Sequence, residues 1–198
     1  MLKKYFLFCP ALLLVLFSCK SDKNGKQTNE EETPYFPALS FLQSQVAHID
    51  TSLYSIIMVD VVNDEERDTQ YIKREEFRAL AKDFLEIPDV TTAKMKKRFK
   101  ASKNYEMTLE RVVFSCDPID PDKEQLQKQE VTASPDISGY RVNSIFLDLI
   151  SPTKDSIIEK KMLWRVDRSF QITTIKQMPG GIETITTKRV IWNEPKFE

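Results

Sequence analysis

Histidine, glycine and cysteine are scarce in this chain, and each scarcity removes a class of chemistry. His48 is the single histidine among 198 residues. A Ser–His–Asp triad would have to use it, and no G-x-S-x-G elbow accompanies it. His48 and Cys116 alone compose no metal centre unless carboxylates supply the other ligands. The four glycines are Gly25, Gly139, Gly180 and Gly181. None sits in a G-x-G-x-x-G or phosphate-cradling loop, which argues against Rossmann or P-loop nucleotide chemistry. A formal net charge of −1 is too balanced for a dedicated nucleic-acid binder, which needs a basic footprint. Acidic side chains are plentiful. A carboxylate pair for sugar cleavage, however, needs a cleft and two tuned pKa values, and sequence displays neither. The chain is therefore read as a non-enzyme, with no catalytic, cofactor-binding or metal residue assigned.

What is present begins at the N-terminus. Lys3 and Lys4 form a short basic flank, and Tyr5 to Phe17 is almost wholly apolar with Pro10 inside it. A spanning helix needs ~20 apolar residues at ~1.5 Å of rise each, so this run is too short. It has the form of a signal-peptide core. Ser18-Cys19 closes it, and the sequence turns charged at once: Lys20 to Pro34 is polar, with Glu30, Glu31 and Glu32 in a row. Such a stretch holds nothing that builds a core and is expected to be a disordered tether. The alternative to a cleaved signal is a short uncleaved anchor with Cys19 free.

Leu16-Phe17-Ser18-Cys19 resembles a bacterial lipobox, with Phe17 where that pattern favours a smaller residue. The resemblance implies that the Cys19 thiol receives a diacylglycerol, that cleavage after residue 18 leaves Cys19 first, and that its amine is open to acylation. Lys20 stands where an Asp would resemble an inner-membrane retention signal. The implied destination is the outer membrane, facing the periplasm or the cell surface. Three regions are thus expected: a signal peptide over 1–18, a tether over 19–34 and one domain over 35–198.

With Cys9 removed and Cys19 lipidated, Cys116 has no intrachain disulfide partner. A lone cysteine of this kind is expected to be buried and inert rather than reactive.

Within the domain, Leu39, Leu42, Val46 and Ile49 recur at spacings of three and four after Pro37. This predicts an amphipathic helix over 37–49, with His48 as a surface or packing residue. Residues 53–62 are β-branched and apolar, a buried strand. "NDEERD" predicts a loop. Phe77, Leu80, Ala81 and Phe84 mark a second helix over 73–85. A third is expected over 89–101, with Asp89 as N-cap and a basic face of Lys94, Lys97 and Arg98, flanked by Lys96 and Lys100. That face is either solvated or a contact for anionic headgroups or an acidic partner.

From Tyr105 the period shifts to two, predicting a strand through Cys116. Asp117 and Asp120, beside prolines, shape a turn. Weak strand character follows near 125–133, and further strands are expected near 140–150, 158–166, 170–178 and 182–192. The predicted fold class is α+β, with two or three N-terminal helices on one face of a curved antiparallel meander of about six to seven strands.

The opening "YFPALSFLQSQV" and the closing Trp192-Asn193 of "IWNE" resemble a group of small uncharacterised Bacteroidetes lipoproteins, a likeness spanning most of residues 35–193. No activity comes with it. Two functional expectations stand beside each other. One is a membrane-anchored binding or accessory module of the cell envelope with a protein partner, which it meets through a sheet edge, the basic helix or exposed aromatics. The alternative is a carrier of a lipid or other hydrophobic ligand, with Trp164, Phe146, Met162 and Phe170 lining an apolar cavity unless they are simply core. A hydrolase is the third and weakest reading.

Overall fold

The computed structural model describes residues 34–193, apart from residues 64 and 138. The expected signal peptide, the tether up to residue 33 and the lipidated Cys19 lie outside the described residues. In chain order the elements are α1 (Ala38–Thr51), β1 (Ile56–Val62), β2 (Glu65–Ile72), α2 (Arg74–Leu80), α3 (Lys82–Leu85), α4 (Ala93–Lys96) and β3 (Phe99–Glu106), followed by β4 (Arg111–Pro118), β5 (Leu126–Asp136), β6 (Gly139–Pro152), β7 (Ile157–Arg165), β8 (Ser169–Gln177) and β9 (Glu183–Ile191). The fold is mixed α+β: four helices and one antiparallel sheet of nine strands among the described residues.

Helix α1 forms as its stripe predicts. Ala38, Leu42, Val46 and Ile49 are its buried residues, and Pro37 precedes its first turn. Its C-terminal carbonyls need partners. The Ile49 carbonyl accepts from the Ser52 N–H at 3.1 Å and hydroxyl at 2.9 Å, and from Arg74 Nη1 at 3.0 Å. Arg74 also reaches Ser52 Oγ and the Tyr54 carbonyl. One cation from the start of α2 thus sits at the negative end of α1's dipole and joins the two helices.

The expected helix over 73–85 is two short helices broken at Ala81. Phe84 N–H bonds the Ala81 carbonyl three residues back, a local 3₁₀ tightening. Phe77, Ala81 and Phe84 still form one fully buried stripe. The third helix shrinks more. Asp89 Oδ1 takes the Thr91 N–H and hydroxyl in a turn, and Thr92 caps α4 through Met95 N–H. Arg98 and Lys100 fall outside that helix, so the continuous basic helical face does not exist.

The sheet order is β2-β1-β9-β8-β7-β6-β5-β4-β3. Strands β3 to β9 run as a meander, and the β1–β2 hairpin docks on β9. Two expectations are corrected. "NDEERD" is not all loop, because the segment from Glu65 to Ile72 pairs with β1; an edge strand has no need of apolar residues. The strand expected from Tyr105 to Cys116 is a hairpin. β3 ends at Glu106, Met107–Leu109 form a 3₁₀ turn, and Glu110 takes φ 45° before β4. Met107 is 81% exposed and Leu109 59%, so the alternation there did not mark a buried face. These two regions raise the expected six or seven strands to nine. The helices are also not all N-terminal: α2 to α4 lie between β2 and β3.

Register builds the core. Met58, Val190, Phe170, Trp164, Ile145, Val131 and Phe114 are successive cross-strand partners from β1 to β4. Gln70 and Lys103 end this row on the edge strands. Phe77 and Phe84 meet the same row, Phe84 at 5.2 Å from Trp164 and 5.3 Å from Phe170, and Trp192 lies 5.3 Å from both Phe77 and Trp164. An irregularity in the β5–β6 pairing brings Val142 opposite Ala133, which keeps Val142 on the core side despite its odd spacing from Ile145. The first described residues are tied down too. Tyr35 hydroxyl donates to the Phe99 carbonyl at 2.8 Å, and Gln129 Nε2 to the Phe36 carbonyl at 3.2 Å.

Candidate functional site

The next row along the sheet explains a groove. From β4 to β8 it reads Cys116, Gln129, Leu147, Met162 and Ile172, and then it turns polar at Lys188 and Asp60. One step further, Thr174 pairs with Thr186. The apolar row gives out on the β8–β9–β1 side, beside residues of α2 and α3. The result is a cleft of about 540 Å³, floored by Asp60, Ile172, Thr174, Thr186 and Lys188 and walled by Ala79, Leu80, Lys82 and Asp83.

Its charges balance: Asp60 and Asp83 against Lys82 and Lys188. Asp83 is held by Lys160 of β7 at 2.7 Å. Hydroxyls, a carboxylate and ammonium groups beside Leu80 and Ile172 suit a polar or amphiphilic ligand rather than an aliphatic chain, because unmatched polar groups penalise the latter. The volume falls within the ~300–1,000 Å³ of small-molecule sites. The cleft offers hydrogen bonds and charge pairing. Its lining residues include no histidine or cysteine, and of its two carboxylates Asp83 is already paired.

The residues singled out from sequence are dispersed. His48 is exposed on α1. Cys116 is buried, and burial pushes its thiol up to about 12, with the charge of Asp117 adding to the effect. Asp120 pairs with Lys123 at 2.6 Å in the turn after β4, while Asp117 is the register partner of Lys100. Arg98 grips Glu124 through two hydrogen bonds, at 2.5 and 2.7 Å. Lys96 lies over the Tyr35 ring. Among the described residues, no group of three His, Cys, Asp or Glu side chains is placed to hold a metal ion. No described helix is long and apolar enough to cross a membrane.

Trp164, Met162 and Phe170 are side by side and fully buried, packed on helix side chains and on one another. Phe146 pairs with Leu163 on the opposite face. The three inward residues therefore belong to the filled core.

Asp60, Asp83 and Asp148 escaped the sequence reading. Asp148 lies on the far face between Lys128 and Lys161 in register. Those lysines bond Glu130 at 3.0 Å and Glu159 at 2.9 Å, and Asp148 Oδ1 is buried without a partner. Burial lifts the Asp148 carboxyl above the usual carboxylate value, and the Glu159 charge adds to the rise. No local signal marks these aspartates, because their partners lie on other elements: Lys188 for Asp60, Lys160 for Asp83, and Lys128 and Lys161 for Asp148. No family model, curated protein or solved structure matches the chain.

Proposed function

We propose that this protein is a lipid-anchored, non-catalytic binding or accessory module of the bacterial cell envelope. In this reading it is held in the outer membrane through Cys19 and engages a protein or polar ligand on the periplasmic or surface side. The observation that carries the reading is the step in sequence at Ser18-Cys19. An apolar run too short to span gives way there to a charged tether. The acyl chains supply the attachment, at about 0.8 kcal/mol per buried methylene.

We read the helices as covering one face of a curved sheet. The contacts of Phe77 and Phe84 with Trp164 and Phe170 support this. Binding is favoured over carriage because Trp164 and Phe170, two of the residues expected to line an apolar cavity, stack on each other in the core, while the groove beside α2 and α3 mixes charged and hydroxyl side chains with apolar ones. The groove is also favoured over the sheet edges as a docking place. β2 and β3 carry charges such as Glu65, Asp68, Lys100 and Lys103, which oppose strand addition.

Cys19→Ser tests the anchor. The wild-type product is expected in the membrane fraction with the added mass of its acyl chains, and the variant without that mass. A Cys19→Ser product that fractionates with membranes at the wild-type mass would overturn the reading. Native mass spectrometry of the extracted protein separates the alternative: a hydrophobic ligand retained in stoichiometric amount favours the carrier.

A further inference from the structure

A second cleft, of about 790 Å³, is lined from the start of β6, the β7–β8 turn and the end of β9, and its described lining is rich in arginine. Arg141 from the start of β6, Arg165 from the end of β7 and Arg168 from the β7–β8 turn all line it, and among the described residues Asp167 is its one acid, beside Asn143 and Asn193. Among the described residues neither Arg141 nor Arg168 takes part in an ion pair.

The backbone beneath these arginines is fixed from three strands. Val166 N–H bonds the Asn143 carbonyl at 3.0 Å, carrying the β6–β7 ladder past its last register pair. Arg168 N–H closes the turn on the Arg165 carbonyl at 3.1 Å, with Asp167 at φ 57°. The Trp192 and Asn193 N–H groups both donate to the Arg168 carbonyl, at 3.0 and 3.1 Å, tying the turn to the end of β9. Three guanidiniums are thus presented from a rigid frame rather than from a loose loop.

Bringing like charges into one cleft costs energy in the folded state, and nothing in the core gains from it. A bound anion reverses that balance. Guanidinium forks match phosphate oxygens two at a time, which a lysine does not do. The cleft is far larger than one phosphate group, and its asparagines add neutral donors and acceptors beside the charge.

We propose that this cleft is a binding site for a phosphate-bearing ligand, with Arg141 and Arg168 as its contacts. The phosphate belongs either to a soluble phosphorylated compound or to a phospholipid headgroup. This rests on the binding-module half of the reading above and not on the anchor, so fractionation of Cys19→Ser and the titration below fail independently.

Isothermal titration calorimetry reads binding directly, since neither buried tryptophan lines the cleft. The full chain in non-ionic detergent is titrated with inorganic pyrophosphate, then with short-chain phosphatidylglycerol and, as the uncharged control, short-chain phosphatidylcholine. A saturable heat of binding is expected with pyrophosphate, phosphatidylglycerol or both, and the tighter of the two identifies the source. R141A and R168A should each weaken binding about tenfold or more, and R168K should recover only part of that loss. K94A and K97A, on the exposed basic segment around α4, should leave it unchanged. Far-UV circular dichroism confirms that the variants fold. Absence of saturable binding by either probe overturns the proposal. So does unaltered affinity in R141A and R168A, or equal weakening by K94A and K97A.

Discussion

Trp164 offers the sharpest test of how the core is built, through two replacements that remove different things. The side chain is fully buried. It stacks on Phe170 at 5.4 Å and 18°, and meets Phe84 and Trp192 at 5.2 and 5.3 Å. Its Nε1 is buried without an acceptor. Trp164→Ala deletes the whole ring system and should cost about 3–5 kcal/mol, a large share of the ~5–15 kcal/mol by which domains of this size are stable. Trp164→Phe keeps one ring in the cluster. It loses about 1 kcal/mol of transfer energy for the missing atoms and about as much again for the void. It also removes an orphan donor, which returns about 1–3 kcal/mol. The two effects nearly cancel, so Trp164→Phe should lie within about 1 kcal/mol of wild type. Urea unfolding followed by far-UV circular dichroism measures both, with an unchanged m-value required for the comparison. A loss above about 3 kcal/mol in Trp164→Phe would refute the reasoning, because it would mean that the indole N–H is hydrogen-bonded in the native protein.

Two further outcomes follow from titrating groups. The folded state holds the Asp148 proton more tightly than the unfolded chain does; its contribution is therefore full below the ordinary carboxylate range and lost as pH rises through the raised value. Asp148→Asn should accordingly raise the melting temperature at pH 7 and leave it unchanged in acid, and thermal scans across that range check both signs; a variant less stable at pH 7 contradicts the account. Burial lifts the Cys116 thiol to about 12, so at pH 8 it should not react with a thiol reagent until the protein is unfolded. Labelling of the native protein as fast as that of a free thiol, followed by intact mass, would show that Cys116 is not sealed in the core.

The elements legible in the sequence are those whose partners are local. The stripe Leu42, Val46, Ile49 specified α1 because a helix face is written every three or four residues. Strands β6 to β9 were legible from alternation bounded by turn residues such as Pro179-Gly180-Gly181. β2 was not, because an edge strand paired on one side only can be as polar as Glu65 to Gln70. The β3–β4 hairpin was hidden for the converse reason. Its tip exposes Met107 and Leu109, which imitate a buried face, and its reversal depends on Glu110 in a left-handed conformation that glycine or asparagine more often adopts. α4 is short because the chain from Phe99 pairs with β4, and that tertiary pairing overrides a helix-forming run of lysines.

The candidate sites divide along the same line. The proposed anchor at Cys19 rests on a pattern read along the chain and needs no tertiary partner. The groove and the arginine cleft are invisible until register is known, since Asp60 meets Lys188, and Arg141 joins Arg165, only through the sheet. Their placement follows from how the strands are used. On the core face the aromatic row fills the middle of the sheet, and the groove begins only where the next row turns polar at Lys188 and Asp60. The chain enters over the β3–β5 side, where Tyr35 and Phe36 are bonded to Phe99 and Gln129, whereas the groove lies on the β8–β9–β1 side. The first described residues and the groove therefore lie on different sides of the strand order.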